Sequence, residues 1–228
     1  MRILALGDIH GCSRAFDTLM ATVAPQQTDK LITLGDYTDR GPDSKGILNR
    51  MLALHKSGIL VPLLGNHDIT MLQARTDRRI GMFWWRDFGG DATMESYARG
   101  DATATWNDIP PEHWDFLQTK CFKYYETDTH FFVHANADPN LPLEQQPDEL
   151  LFWERFNHPA PHYSGKIMVC GHTHQQNGLP LNLGHAVCID TWVYGDGWLT
   201  CLDVKSGKIW QANQAGERRE GWLEAPPK

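Results

Sequence analysis

The stretch GDIHG (7–11) closes the apolar run RILAL (2–6) near the N-terminus. It sets an Asp and a His one residue apart, fenced by glycines. Alone, it reads as a polar turn after a buried strand, since Gly and Asp are ordinary turn residues. The ending recurs, however. KLITLG runs into GDYTDRG (35–41), ILVPLLG into GNHD (65–68), HFFV into VHAN (133–136) and KIMVC into CGHTH (170–174). Five apolar runs thus end on loops carrying Asp, Asn or His. In parallel sheets, loops beyond the carboxyl ends of neighbouring strands lie side by side. Asp8, His10, Asp36, Asn66, His67, His134, His172 and His174 are therefore expected at one rim.

The spacing between these runs predicts helices. In SRAFDTLMATVA, Phe16, Leu19, Met20 and Val23 share a face. In DSKGILNRMLALHKSG, Ile47, Leu48, Met51, Leu52 and Leu54 do so, and Gly58 can end the helix. This βαβαβ order predicts a mostly parallel sheet covered by helices. Residues 69–121 show helical patches and no clear strand. FKYYET, HFFVHA, KIMVCG, AVCID and WLTCLDV then follow closely, which predicts a second, more antiparallel layer. The polar tail GERREGWLEAPPK reads as a loose end.

Composition narrows the function. With 228 residues, 41% hydrophobic and 21% charged, the chain is globular in character. A net charge of -7 and a pI near 5.8 argue against a nucleic-acid partner, which calls for a basic face. No apolar stretch approaches the length of a membrane span, so no membrane association is expected. MRILALGDIH meets an Asp too early for a secretory leader. Five widely spaced cysteines without a CxxC pair suggest neither a zinc knuckle nor a disulfide framework. A cytoplasmic location follows as the expectation.

Carboxylate and amide oxygens mixed with imidazole nitrogens suit Mn, Fe or Zn better than Mg or Ca. The set is too large for one tetrahedral ion and would serve two ions sharing a carboxylate. Two metals roughly 3.5–4 Å apart can clamp a phosphoryl group and activate a water.

GDIHG, GDYTDRG and GNHD, in this order and spacing, resemble the phosphoprotein phosphatase family of calcineurin-like metallophosphoesterases, in particular its bacterial and phage serine/threonine phosphatase branch. LLFWER (150–155), FGGDATMESY (88–97) and CIDTWVYGDGWLTCLDV (188–204) extend the resemblance over about residues 2–204. It implies an α/β sandwich of two mixed β-sheets flanked by helices, with a dinuclear metal site at strand ends. A single domain over 1–228 is expected, with 69–121 bordering the active site. By the same resemblance, Asp8 and His10 hold a first metal, Asp36 bridges, and Asn66, His134 and His172 hold a second. His67 protonates the leaving oxygen and Asp39 tunes it. Arg40 and Arg155 grip phosphate. His174 follows a GHxH pattern of the wider superfamily and is expected on the first metal, because residues two apart in an extended segment face one side. The ions are divalent or trivalent transition metals, manganese first, with iron or zinc as alternatives.

The activity implied is serine/threonine protein phosphatase, with a metal-bridging hydroxide attacking a phosphorylated protein, peptide or small phosphoester. A symmetrical dinucleoside polyphosphate hydrolase shares GNHD and is the alternative; a non-catalytic metal-binding scaffold is a third reading. Asp68 stands where the protein-phosphatase branch commonly has Glu, Thr38 replaces a usual Val, and VHAN departs from His-Gly-Gly. Phe83, Trp84 and Trp85 are either a core cluster or one wall of the substrate cleft. Arg75, Arg78 and Arg79 just before them are either positive charge near that cleft or a solvated helix face. His55, His113, His130, His158, His162 and His185 carry no motif and read as surface or structural residues.

Overall fold

The computed structural model describes residues 1–98 and 103–226. One sheet contains β1 (Ile3–Leu6), β2 (Lys30–Thr33), β3 (Leu60–Pro62), β9 (Leu199–Asp203), β10 (Lys208–Ala212) and β11 (Arg218–Trp222), in the spatial order β11-β10-β9-β1-β2-β3. The other contains β4 (Tyr124–Glu126), β5 (His130–Val133), β6 (Ile167–Cys170), β7 (Leu181–Asn182) and β8 (Ala186–Cys188), in the order β4-β5-β6-β8-β7. Strands β1, β2 and β3 run parallel, as their crossover helices require.

The two-residue period of the strands builds the layers. Ile3 and Ala5 of β1 point into the space between the sheets, where they meet Phe132, Val169 and Val187. Leu4 and Leu6 point the other way, onto Phe16 and Leu19 of α1 (Ser13–Val23) and Ile47, Leu48 and Met51 of α2 (Ser44–Ser57). In the second sheet, Phe131, Val133, Met168 and Cys170 face outward, onto Leu151 and Phe152 of α7 (Asp148–Phe152). Asp43 caps α2 through the Gly46 N–H at 2.9 Å, and Gly58, with φ 81°, ends it.

Two expectations are corrected. The second sheet is antiparallel only at its edges. Strands β5, β6 and β8 are parallel, because the connection from β5 to β6 is long enough to return to the same end. The tail is not loose throughout either: β11 pairs with β10 from Lys208↔Trp222 to Ala212↔Arg218, around a turn in which Gly216 has φ 86°. Its charged, exposed residues Arg218, Arg219 and Glu220 make it a protected edge.

Between β3 and β4 the described residues are helical. They form α3 (Asn66–Ala74), α4 (Arg78–Phe83), a π-helical turn (Trp84–Phe88), α5 (Gly90–Tyr97) and α6 (Pro111–Asp115), with further short turns.

Candidate active site

Every strand that the sequence marks ends on the same rim. Asp8 follows β1, Asp36 follows β2, Asn66 opens α3 after β3, His134 follows β5 and His172 follows β6. To turn the chain back sharply there, His10, Asp36, Asp39, Arg40 and His172 take positive φ values of 45°, 51°, 71°, 70° and 62°. Such conformations are costly for residues with a Cβ and gather at functional sites. Two glycines admit the carboxylates. A Cβ on Gly65 would lie 2.1 Å from Asp36 Oδ1, and one on Gly171 would lie 2.0 Å from Asp8 Oδ1.

Asp36 is the centre of the arrangement. Its Oδ1 accepts the His67 backbone N–H at 3.0 Å. Its Oδ2 lies 3.5 Å from His10 Nε2 and 3.6 Å from His134 Nε2. Asp36 is common to two triplets whose donor atoms lie within 4.8 Å of one another, His10/Asp36/His67 and Asp8/Asp36/His134. Asn66 Oδ1 sits 2.9 Å from His134 Nε2 and 3.1 Å from His172 Nδ1.

The ring protons face away from this centre. His10 Nδ1 donates to Thr38 O at 2.9 Å, His134 Nδ1 to Leu34 O at 2.8 Å and His172 Nε2 to Trp153 O at 3.1 Å. Burial first, and a neighbouring imidazole second, pull His10 down to about 3 and His172 to about 4; burial also lowers His134. These rings are therefore neutral, and their free nitrogens offer lone pairs toward carboxylate and amide oxygens. Asp8 Oδ2 accepts the His172 N–H at 2.9 Å, while Asp8 Oδ1, buried, has no hydrogen-bond partner. Acceptors converging on acceptors, with one carboxylate oxygen orphaned, are the donor set that transition-metal cations satisfy. The residues fit a two-metal centre.

His67 stands beside it. Its Nδ1 donates to Asp39 Oδ2 at 2.8 Å, which leaves Nε2 free. Burial works against its charge, but Asp36 and Asp39 outweigh it and the net shift is upward. Asp39 is fully buried and receives Trp84 Nε1 at 2.9–3.0 Å and Thr93 Oγ1 at 2.7 Å. Burial raises its carboxyl above the usual range despite these donors. Phe88 packs against His67 with its ring tilted by 36° and centroids 4.4 Å apart.

Arg40 and Arg155 are both exposed. The Arg40 guanidinium lies 5.6 Å above the Tyr194 ring, and Tyr194 in turn touches the edge of His10 at 4.8 Å. His174 is not among the residues whose donor atoms converge. Its ring stacks on Trp192 at 5.6 Å and neighbours Tyr194, and burial, then Arg155 and Arg40, lower its pKa. His172, with φ 62°, breaks the extended path between the two histidines, and the role expected of His174 on the first metal stays a proposal.

The sequence reading undervalued three residues. Asp68, noted there only as a substitution, binds the loops together: its carboxylate accepts N–H groups from Asp36 at 2.9 Å, Gly65 at 3.1 Å and Tyr37 at 3.1 Å. Trp84 is buried, so the core reading of that indole holds, yet its N–H serves Asp39. Asp190, two residues past β8, is pushed up to about 7 by burial first and by Asp36. The rule that found the others, a carboxylate just beyond a buried strand, applies to CID as well.

A family model for calcineurin-like phosphoesterases matches residues 1–176. A symmetrical bis(5'-nucleosyl)-tetraphosphatase of Acidovorax sp. (strain JS42) is 45% identical over 75 residues, which is 32% of this chain and 26% of that protein. The chain thus matches between about a quarter and a half of the length of such curated relatives. Serine/threonine-protein phosphatase 1 of Salmonella typhimurium is 34% identical over 164 residues, covering 67% of this chain and 68% of that one. Among solved structures, a candidate diadenosine tetraphosphatase superposes with a TM-score of 0.64 at 20% identity, covering 98% of this chain and 94% of the other. That likeness concerns the fold alone. With 176 of 228 residues matched, the chain belongs to the calcineurin-like phosphoesterase family.

Proposed function

We propose that this chain is a metal-dependent phosphomonoesterase acting on phosphoserine and phosphothreonine in proteins. The observation that carries the reading is the His67–Asp39 pair set beside a convergent donor set centred on Asp36 Oδ2. Asp8, His10 and Asp36 would hold one ion, and Asp36, Asn66, His134 and His172 a second, manganese before iron or zinc. Two such ions, when bound, supply Lewis acidity for phosphoryl oxygens and lower the pKa of a water.

The chain supplies the rest. Arg40 and Arg155 bind phosphate oxygens through charge-assisted hydrogen bonds, for which a planar guanidinium is suited. Asp39 holds the His67 proton at Nδ1 and orients the ring. His67 Nε2 then delivers a proton to the seryl or threonyl oxygen as its bond to phosphorus breaks. Phe88 packs against the His67 ring.

The relative matched over two thirds of both chains is named a serine/threonine-protein phosphatase, which supports this substrate class. Relatives named symmetrical tetraphosphatases, 45% identical over 75 residues, favour the second reading, hydrolysis of dinucleoside polyphosphates. A substrate panel on manganese-reconstituted protein separates the two. Turnover of p-nitrophenyl phosphate and phosphopeptides, with diadenosine tetraphosphate left intact, is expected. ADP formed from diadenosine tetraphosphate, with phosphopeptides untouched, establishes the second reading. No turnover of any of them leaves a metal-binding scaffold.

A further inference from the structure

The helical segment carries a surface that the site does not use. Met82, Phe83 and Trp85 are exposed by 66%, 46% and 44%, three large apolar side chains within four consecutive residues. They line a cavity of about 1060 Å³ together with Trp84, Met94 and Trp106. A second cavity, of about 340 Å³, shares Arg75 and Trp106 with it and continues past Ile109 and Trp114. The two cavities adjoin at Arg75 and Trp106, giving this face a groove.

The charge of the larger cavity is one-sided, while Asp115 lines the smaller one. Arg75, Arg78, Arg79 and Arg86 line the larger cavity, and no Asp, Glu or Lys does among the described residues. The nearby carboxylates are engaged elsewhere. Asp77 caps α4 through the Arg79 and Ile80 N–H groups, Asp87 pairs with Arg86 at 2.8 Å and Asp115 pairs with Lys120 at 3.2 Å. Arg75 lies over the Trp114 ring at 4.7 Å. Arg75, Arg78 and Arg79 have no carboxylate partner among the described residues, in a chain of net charge -7.

Aromatic residues, Met and Arg with few acids or Lys are the composition of protein–protein interface cores and hot spots. We infer that this groove docks a protein segment in which an apolar anchor is flanked by acidic residues. The anchor packs against Phe83, Trp85 and Trp106, and its carboxylates meet Arg75, Arg78 and Arg79. Phe83 packs against Phe88 at 4.9 Å and Phe88 against His67 at 4.4 Å, both tilted, so a segment held here stays beside the candidate site. The inference concerns binding and is independent of which phosphoester is cleaved.

The test uses the whole chain and a fluorescein-labelled peptide of Leu and Phe flanked by glutamates, followed by anisotropy. Saturable binding is expected, weakened at least about tenfold by Trp85→Ala and by the double change Arg78→Glu, Arg79→Glu. Turnover of p-nitrophenyl phosphate should be unchanged in both variants, which also shows that they are folded. Equal binding of a peptide with lysines in place of the glutamates overturns the inference, as does wild-type affinity in the variants. Light scattering that finds a dimer dissociated by Trp85→Ala assigns the groove to a second copy and overturns it too. Loss of p-nitrophenyl phosphate turnover in the unmodified chain, with peptide binding intact, would fault the proposed activity and not the groove.

Discussion

At the scale of the residue, Asp39 shows how much one side chain depends on its neighbours. A buried carboxylate with no partner would be neutral, and a neutral Asp39 could not hold a protonated His67. Trp84 Nε1 and Thr93 Oγ1 donate to it from two turns of the helical segment, and His67 Nδ1 from a third direction. If His67 is the proton donor, His67→Asn keeps its metal and loses roughly 10²–10⁴-fold in turnover of alkyl phosphate esters. Aryl esters, whose leaving groups need less help, should lose much less; equal losses for both classes count against the assignment. The role proposed for Arg40 and Arg155 belongs to a different step, phosphate binding. Arg40→Ala and Arg155→Ala should each weaken inhibition by inorganic phosphate, without changing metal content. Unchanged phosphate inhibition in Arg155→Ala would return that exposed residue to the solvent.

At the scale of the element, the helical segment is tied together by a buried histidine. His113 of α6 donates from Nε2 to Asn49 Oδ1 of α2 at 3.0 Å and accepts the Tyr97 hydroxyl of α5 at Nδ1, at 2.6 Å. Burial lowers its pKa from 6.5 to about 4. The unfolded chain therefore takes up this proton first as pH falls. The contribution to stability is complete above pH 6.5 and is lost progressively toward pH 4, by on the order of 3 kcal/mol. His113→Gln, which cannot titrate, should flatten that part of the stability profile in urea melts. A variant with the slope of the wild type would show that His113 is not its source. The sequence offered no motif for His113, because a structural histidine is recognised by its partners and these come from two other helices. The elements themselves were more readable. Apolar alternation in RILAL and HFFV, and helical spacing in the first two helices, were enough to place β1, β5, α1 and α2. The direction of β6 and β8 was not, since strand polarity is set by the length and path of connections and not by local pattern. β11 was hidden by its exposure: Arg218–Trp222 carries no buried face to betray it.

At the scale of the whole molecule, the site is where two sheets end together. Asp8, Asp36 and Asn66 come from the first sheet, and His134 and His172 from the second. Packing through Ile3, Ala5, Phe132, Val169 and Val187 thus fixes the two halves of the donor set relative to each other. This much of the site was legible because a repeated strand ending is a local signal that topology converts into proximity. Asp68, Trp84 and Asp190 act on that set from behind, and nothing local in their sequence separates such a role from a turn, a core indole or a strand end. The joining carboxylate is Asp36, whose Oδ2 lies almost equally far from His10 of one half and His134 of the other. Metal analysis of Asp36→Asn against the unmodified chain, after reconstitution with Mn²⁺ and removal of loose ions, tests this account most directly. Two ions per chain are expected in the unmodified protein, with loss at both positions in the variant; two tightly held ions in Asp36→Asn would contradict a shared carboxylate at the centre of the site.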